Sequence, residues 1–172
     1  MINVMVIEDN DGDYVLAREA IATHSQQIEL SRAKTLADGL DQIMTKTNID
    51  LILVDLHLPD SIGTSTILLI KEITDIPIVV LTGNDDDEMI VDSIRCGAYN
   101  FLHKSEMNGN LRRAILTAKA KSDCDSEKRK KLLETMRKYF PPTAKTEPSQ
   151  KQEIKSTNIM EDVETEMLAT II

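Results

Sequence analysis

The sequence predicts an α/β fold: a five-stranded parallel sheet with helices on both faces, prolonged by a C-terminal helical extension. Three observations predict it. First, strand candidates recur at 2–8, 28–33, 50–55, 77–82 and 98–103. Second, the runs Val4–Ile7, Leu51–Val54 and Ile78–Leu81 are continuous rather than alternating, as in strands buried on both faces. Third, each interval between runs carries apolar residues at helical spacing. Strand–helix alternation with short links implies right-handed crossovers and a doubly covered sheet.

The elements follow in order. The first strand ends in the acidic pair Glu8-Asp9, and Tyr14, Val15, Leu16, Ala17 and Ile21 trace the helix behind it. After strand 28–33, Leu36, Leu40, Ile43 and Met44 mark the second helix. The third strand ends in Asp55. Gly63 punctuates the loop beyond it, and Ile67, Leu68, Ile70 and Ile73 mark the third helix. Pro77 opens the fourth strand, where proline is tolerated, and Thr82 closes it. Met89, Ile90, Val91 and Ile94 give the fourth helix, and Gly97 precedes the fifth strand, which ends at Lys104. Leu111, Ala114, Ile115 and Ala118 give the fifth helix.

The domain is expected to span 1–121. Ser122 to Ser126 read as a polar break with several helix-capping residues. A helical extension is expected over 122–140, its apolar stripe made by Leu132, Leu133, Met136, Tyr139 and Phe140, and Pro141-Pro142 stop it. Residues 141–157 are polar and aperiodic, the composition of a disordered linker. Ile159, Met160, Val163, Met167, Leu168, Ile171 and Ile172 restore a pattern, so 158–172 reads as a short amphipathic helix or a disordered tail.

Composition narrows the function classes. A chain of 172 residues with 41% hydrophobic content builds one core and leaves chain over. Trp is absent, so Leu, Ile and Val must fill that core. Cys96 and Cys124 form no motif and read as two reduced thiols of a cytosolic protein. No basic leader precedes Glu8, and no apolar stretch approaches the ~20 residues of a membrane span, so a cytoplasmic location is expected. The net charge is −9, and residues 1–122 hold 19 acidic against 11 basic residues. That balance argues against direct nucleic-acid binding. The run Lys128-Arg129-Lys130-Lys131 reads as a solvated helix face.

The chemistry gathers at the strand ends. In such sheets functional groups lie outside the carboxyl ends of the strands. Glu8, Asp9 and Asp55 are therefore expected at one edge, with Thr82 and Lys104 beside them. Adjacent carboxylates repel, and a hard cation such as Mg²⁺, which prefers oxygen ligands, relieves that repulsion. Asp55 is the natural phosphoryl acceptor, because a carboxylate can form an acyl phosphate. Thr82 can donate to one phosphoryl oxygen and Lys104 can neutralise another, which suffices for a reaction that chiefly needs positioning and charge neutralisation. Taken singly, each residue has a plainer reading: a helix-dipole pair for Glu8-Asp9, caps for Asp55 and Thr82, a surface charge for Lys104. Their recurrence at matching strand ends is what the plainer readings fail to explain.

These segments resemble the receiver domain of two-component response regulators over residues 1 to about 121. Val6-Ile7-Glu8-Asp9-Asn10 resembles the family's acidic opening, and Leu53 to Asp60 with Gly63 resembles its phosphoacceptor strand and loop. Val80-Leu81-Thr82-Gly83 and Gly97 to Lys104 resemble its fourth and fifth strand ends. The resemblance implies a flavodoxin-like (βα)5 doubly wound sheet with strand order 2-1-3-4-5. It implies that Asp55 accepts phosphate from a histidine kinase or phosphotransfer protein. It also implies that Glu8, Asp9, Asp55 and the His57 backbone carbonyl bind Mg²⁺, and that Thr82 and Phe101 form a switch pair beside Lys104. The chain departs from the family in one place: Ser105 stands where proline usually follows the lysine. A non-proline cis bond costs ~2.5–4 kcal/mol, so Lys104–Ser105 is expected trans.

The expected function is a phosphorylation-controlled response regulator of a phosphorelay. It signals through protein contacts, with self-association among them, and carries no DNA-binding domain. It is expected to be a phosphoacceptor with slow self-dephosphorylation rather than an enzyme. The alternative is a phosphate-independent scaffold with the same fold. A phosphatase acting through an Asp55 nucleophile would want a second aspartate two residues on, where His57 stands. Dinucleotide binding would want a glycine-rich first loop, where Asp9-Asn10-Asp11-Gly12-Asp13 stands instead.

Overall fold

The computed structural model describes residues 1–22, 28–83 and 87–139. Five parallel strands form the sheet: β1 Ile2–Ile7, β2 Ile28–Ala33, β3 Leu51–Asp55, β4 Ile78–Thr82 and β5 Asn100–His103. Their order is β2-β1-β3-β4-β5, the doubly wound arrangement expected. The helices are α1 Asp11–Ala22, α2 Leu36–Thr45, α3 Ser65–Ile73, α4 Asp87–Arg95 and α5 Met107–Tyr139. A two-residue hairpin, His57–Leu58 with Ser61–Ile62, lies between β3 and α3.

Alternation along the strands divides the core in two. Val4, Val6, Leu51, Leu53, Val79, Leu81 and Leu102 face α1 and α5, meeting Ala17 and Ile21 of the first and Leu111 and Ile115 of the second. Met5, Ile7, Ile52, Val54, Ile78 and Val80 face the other way, against Leu36 and Ile43 of α2 and Ile67 and Ile70 of α3. Every residue of β3 and β4 is buried. That is why these segments read as unbroken apolar runs. Helix α2 lies so close to β1 that a Cβ on Gly39 would stand 2.6 Å from Ile7 Cδ1. Any other residue there would force the Ile7 side chain to shift.

The tail departs from expectation at one point. Residues 122–126 do not break the chain; they lie inside α5. No glycine or proline occurs between Gly109 and Pro141, Ser122 is buried, and Lys119 pairs with Asp123 at 2.7 Å, four residues on. The capping residues are overridden by helix propagation and by that pairing. The interruption occurs earlier, where Asn108 has ψ 111° and Gly109 has φ 91°. Met1–Thr135 form one compact unit. The linker expected over 141–157 and the segment 158–172 lie outside the described residues. Among the described residues, no helix is long and apolar enough to cross a membrane.

Candidate functional site

The strand register brings the chemistry to one edge. Ile7 lies opposite Val54, so Glu8 and Asp55 leave their strands side by side. Asp55 lies opposite Leu81, which places Thr82 one step further out. Thr82 in turn lies opposite His103, and Lys104 follows. A parallel sheet thus converts four distant sequence positions into one row.

Lys104 closes the row. Its ammonium lies 2.7 Å from Asp55 Oδ2, 2.9 Å from Glu8 Oε2 and 2.6 Å from Asp13 Oδ2. Burial alone would depress the lysine. Its hydrogen bonds to Asp13 and Asp55 and its ion pair with Glu8 outweigh it and hold Lys104 above its ordinary range. Glu8 shifts the other way from a usual site carboxylate. Burial pushes its carboxyl up from 4.5, and the Lys104 ammonium offsets this only in part. Asp55 Oδ1 accepts the His57 backbone N–H at 3.0 Å, which fixes the carboxylate plane. The His57 ring is exposed, its Nδ1 4.0 Å from the same oxygen.

Glu8, Asp9 and Asp55 each present an oxygen within 4.8 Å of the other two. The donor set suits a hard divalent cation: all ligands are oxygens, and Asp9 is exposed, which leaves room for retained waters. Glu8 Oε2 is buried and has no hydrogen-bond partner beyond the ion pair to Lys104. Buried carboxylate oxygens seek such a partner, so the residues fit Mg²⁺.

Thr82 is fully buried at the end of β4. Phe101 is half-buried and packs against the α2–α3 side of the core. Its register partner is Val80, two residues before Thr82. The Lys104–Ser105 bond is trans, as expected. The His103 ring takes over the turn, its Nδ1 accepting the Ser105 N–H at 3.2 Å and contacting the Ser105 hydroxyl at 2.5 Å. The His103 side chain thereby caps the short 3₁₀ turn Lys104–Glu106.

Three residues that sequence reasoning did not assign to the site belong to its frame. Asp13 is the third carboxylate on Lys104. Arg32, near the end of β2, donates to the Glu8 carbonyl at 2.9 Å, the Asp9 carbonyl at 3.0 Å and Asp11 Oδ1 at 2.5 Å. Its guanidinium lies 4.6 Å from the centre of the Tyr14 ring. The sequence offers only an arginine near the end of a strand; the register that sets it opposite Val6 of β1 comes from the sheet. Asp60 accepts the Leu36 and Ala37 N–H groups, each at 2.9 Å, and so ties the loop after Asp55 to the start of α2. Some desolvation raises Asp60, but those two N–H groups prevail and hold it below its ordinary value.

The sequence pattern of the response regulator receiver domain matches residues 4–116. The chain belongs to that family. Among its relatives, the receiver is 30% identical over 121 residues to the transcriptional regulatory protein YdfI of Bacillus subtilis (strain 168), which covers 64% of this chain and 52% of YdfI. It spans about half the length of the curated relatives it matches. A receiver domain protein from Clostridium thermocellum superposes with a TM-score of 0.62 at 24% identity, over 77% of this chain and 99% of that one. The phosphorylated cyanobacterial phytochrome response regulator RcpA gives 0.54 at 26% identity, over 69% of this chain and 89% of its own.

Proposed function

We propose that this receiver is a phosphorylation-controlled response regulator that takes a phosphoryl group from a phosphohistidine onto Asp55. The donor is a histidine kinase or a phosphotransfer protein. The observation that carries the reading is the Asp55 carboxylate itself. It is buried at the sheet edge, with one oxygen held by a backbone N–H and the other by Lys104. A carboxylate held by two donors is pre-positioned rather than free to rotate, which supports the acceptor role.

In this reading Asp55 attacks phosphorus through one carboxylate oxygen. The P–N bond breaks, and the imidazole leaves with the electron pair. Lys104 shifts from carboxylate oxygen to phosphoryl oxygen, staying within reach of both. Thr82 donates its hydroxyl to a second phosphoryl oxygen. Glu8, Asp9, Asp55 and the His57 carbonyl would hold Mg²⁺, which when bound would supply neutralisation of the charge on the acceptor and incoming oxygens. The move of Thr82 opens space for Phe101, and the surface of α4, β5 and α5 changes with it. The chain is then a phosphoacceptor that slowly dephosphorylates itself, not an enzyme for an external substrate. Output passes through protein contacts in the cytoplasm, self-association included. RcpA, described as phosphorylated, supports the acceptor role, and the regulatory names of the curated relatives support signalling.

The test is incubation with a labelled acyl-phosphate donor, with and without Mg²⁺. One equivalent of Mg²⁺-dependent label is expected on the wild type and none on Asp55→Asn, with the fold retained. Label that persists on Asp55→Asn defeats the assignment. An absence of label on the wild type leaves the phosphate-independent scaffold as the better reading.

A further inference from the structure

Lys104 carries one more carboxylate than the acceptor chemistry needs. Glu8 and Asp55, two of its three partners, also belong to the oxygen cluster suited to a divalent cation. Asp13, the third, does not belong to it and makes the shortest of the three contacts. A cation bound at Glu8, Asp9 and Asp55 would compete with the lysine for two of its partners and repel its ammonium. The Lys104 side chain is only 15% exposed, so an ammonium left without a counter-charge there is costly.

Both ends of the Asp13–Lys104 pair are held locally. The Asn10 side chain accepts the Gly12 and Asp13 N–H groups at 2.8 and 3.2 Å, and Asn10 O accepts the Tyr14 N–H. These bonds fix the first turn of α1. The His103–Ser105 cap fixes the backbone at Lys104. The contact therefore joins two anchored positions 91 residues apart in sequence.

We propose that Asp13 is a positioning residue, which keeps Lys104 beside Asp55 when a divalent cation takes over the Glu8 and Asp55 oxygens. The inference rests on the reading of Asp55 as a Mg²⁺-assisted acceptor. Asp13 acts through the lysine and not on the metal. Removing it strands the ammonium each time the cation binds, so cation affinity falls only while Lys104 is present.

A double-mutant cycle on the full chain reads this directly. Mg²⁺ affinity is measured by NMR titration for wild type, Asp13→Asn, Lys104→Gln and the double variant, at 0.2 M salt to screen through-space attraction. Asp13→Asn is expected to weaken Mg²⁺ about tenfold with Lys104 present and less than twofold with Lys104→Gln, as the loss of a charged hydrogen bond implies. Asp13→Glu should restore most of the affinity. Metal-free spectra check the fold, and Asp13→Ser replaces Asp13→Asn should the latter not fold. Equal weakening in both backgrounds overturns the proposal, because Asp13 would then act on the cation by charge alone. Unchanged affinity in both also overturns it. If the wild type itself binds no Mg²⁺ at millimolar concentration, the acceptor reading fails and this inference fails with it.

Discussion

The two halves of the sheet edge are built by different forces. At the ends of β1 and β3 the geometry is electrostatic: Lys104 holds the Glu8 and Asp55 carboxylates, Arg32 holds the Glu8 and Asp9 carbonyls, and the His57 N–H holds Asp55. At Thr82, which ends β4, and Phe101, inside β5, burial dominates instead: Thr82 is buried and neutral, and Phe101 is half-buried against the core. The first half is tied by charge: Asp55 holds a backbone N–H and Lys104, Glu8 pairs with Lys104, and Arg32 grips the Glu8 and Asp9 carbonyls. The second depends on how one ring fills space. Charge-assisted bonds fix a position more firmly than the packing of a half-buried ring does. A switch built on this edge would bind phosphate at the rigid half and move at the soft half.

The largest expected effect comes from taking the counter-charge out of the rigid half. Lys104→Ala leaves Glu8, Asp13 and Asp55 facing one another, and breaking a largely buried ion pair of this kind costs about 3 kcal/mol. Urea melts should show that loss without Mg²⁺ and recover a good part of it with Mg²⁺. Labelling from an acyl-phosphate donor should fall on the order of 10²-fold, the range seen when one positioned charge is removed. Unchanged melts and labelling would mean the rigid half is not held by Lys104.

Arg32→Ala comes next. It removes three hydrogen bonds to the Glu8–Asp11 loop and the contact with Tyr14, worth about 2 kcal/mol together. Mg²⁺ affinity should drop because Asp9 loses its backbone anchor. Arg32→Lys should rescue little, since an ammonium lacks the planar fork that spans two carbonyls. Full rescue by lysine would reduce Arg32 to a bare charge.

Phe101→Leu probes the soft half. Labelling of Asp55 should stay within about twofold of wild type, while the phosphorylation-dependent NMR shifts of α4 and β5 should shrink. If labelling collapses instead, the two halves are not separable.

The smallest effect is a pH dependence. Glu8 is raised by burial, so the fold favours its protonated form. The unfolded chain deprotonates first as pH rises past 4.5, and stability falls from there until the folded-state value is passed. Metal-free Glu8→Gln should therefore be slightly more stable than wild type at neutral pH and equal to it below pH 4.5. A variant less stable at neutral pH would show that the Lys104 pairing outweighs the burial cost.

The sequence by itself determined the five strands, the order in which helices alternate with them, and five of the groups at the edge. These are local signals. A strand buried on both faces must be apolar throughout, and its last residue is visible as the point where that run stops. Asp55 and Thr82 end their runs in plain sight, and Glu8 and Lys104 stand just past theirs. Tertiary structure alone decided the partners of those groups. Arg32 looks like any charge at the end of a half-exposed strand until β2 is placed beside β1. Asp13 looks like a helix-dipole residue until β5 brings Lys104 across the edge. The same holds for the tail, where Ser122 to Ser126 look like a break until Lys119–Asp123 pairing and the burial of Ser122 carry the helix through them. Strand order and register set these contacts, and both are properties of the whole sheet. No window of sequence contains them.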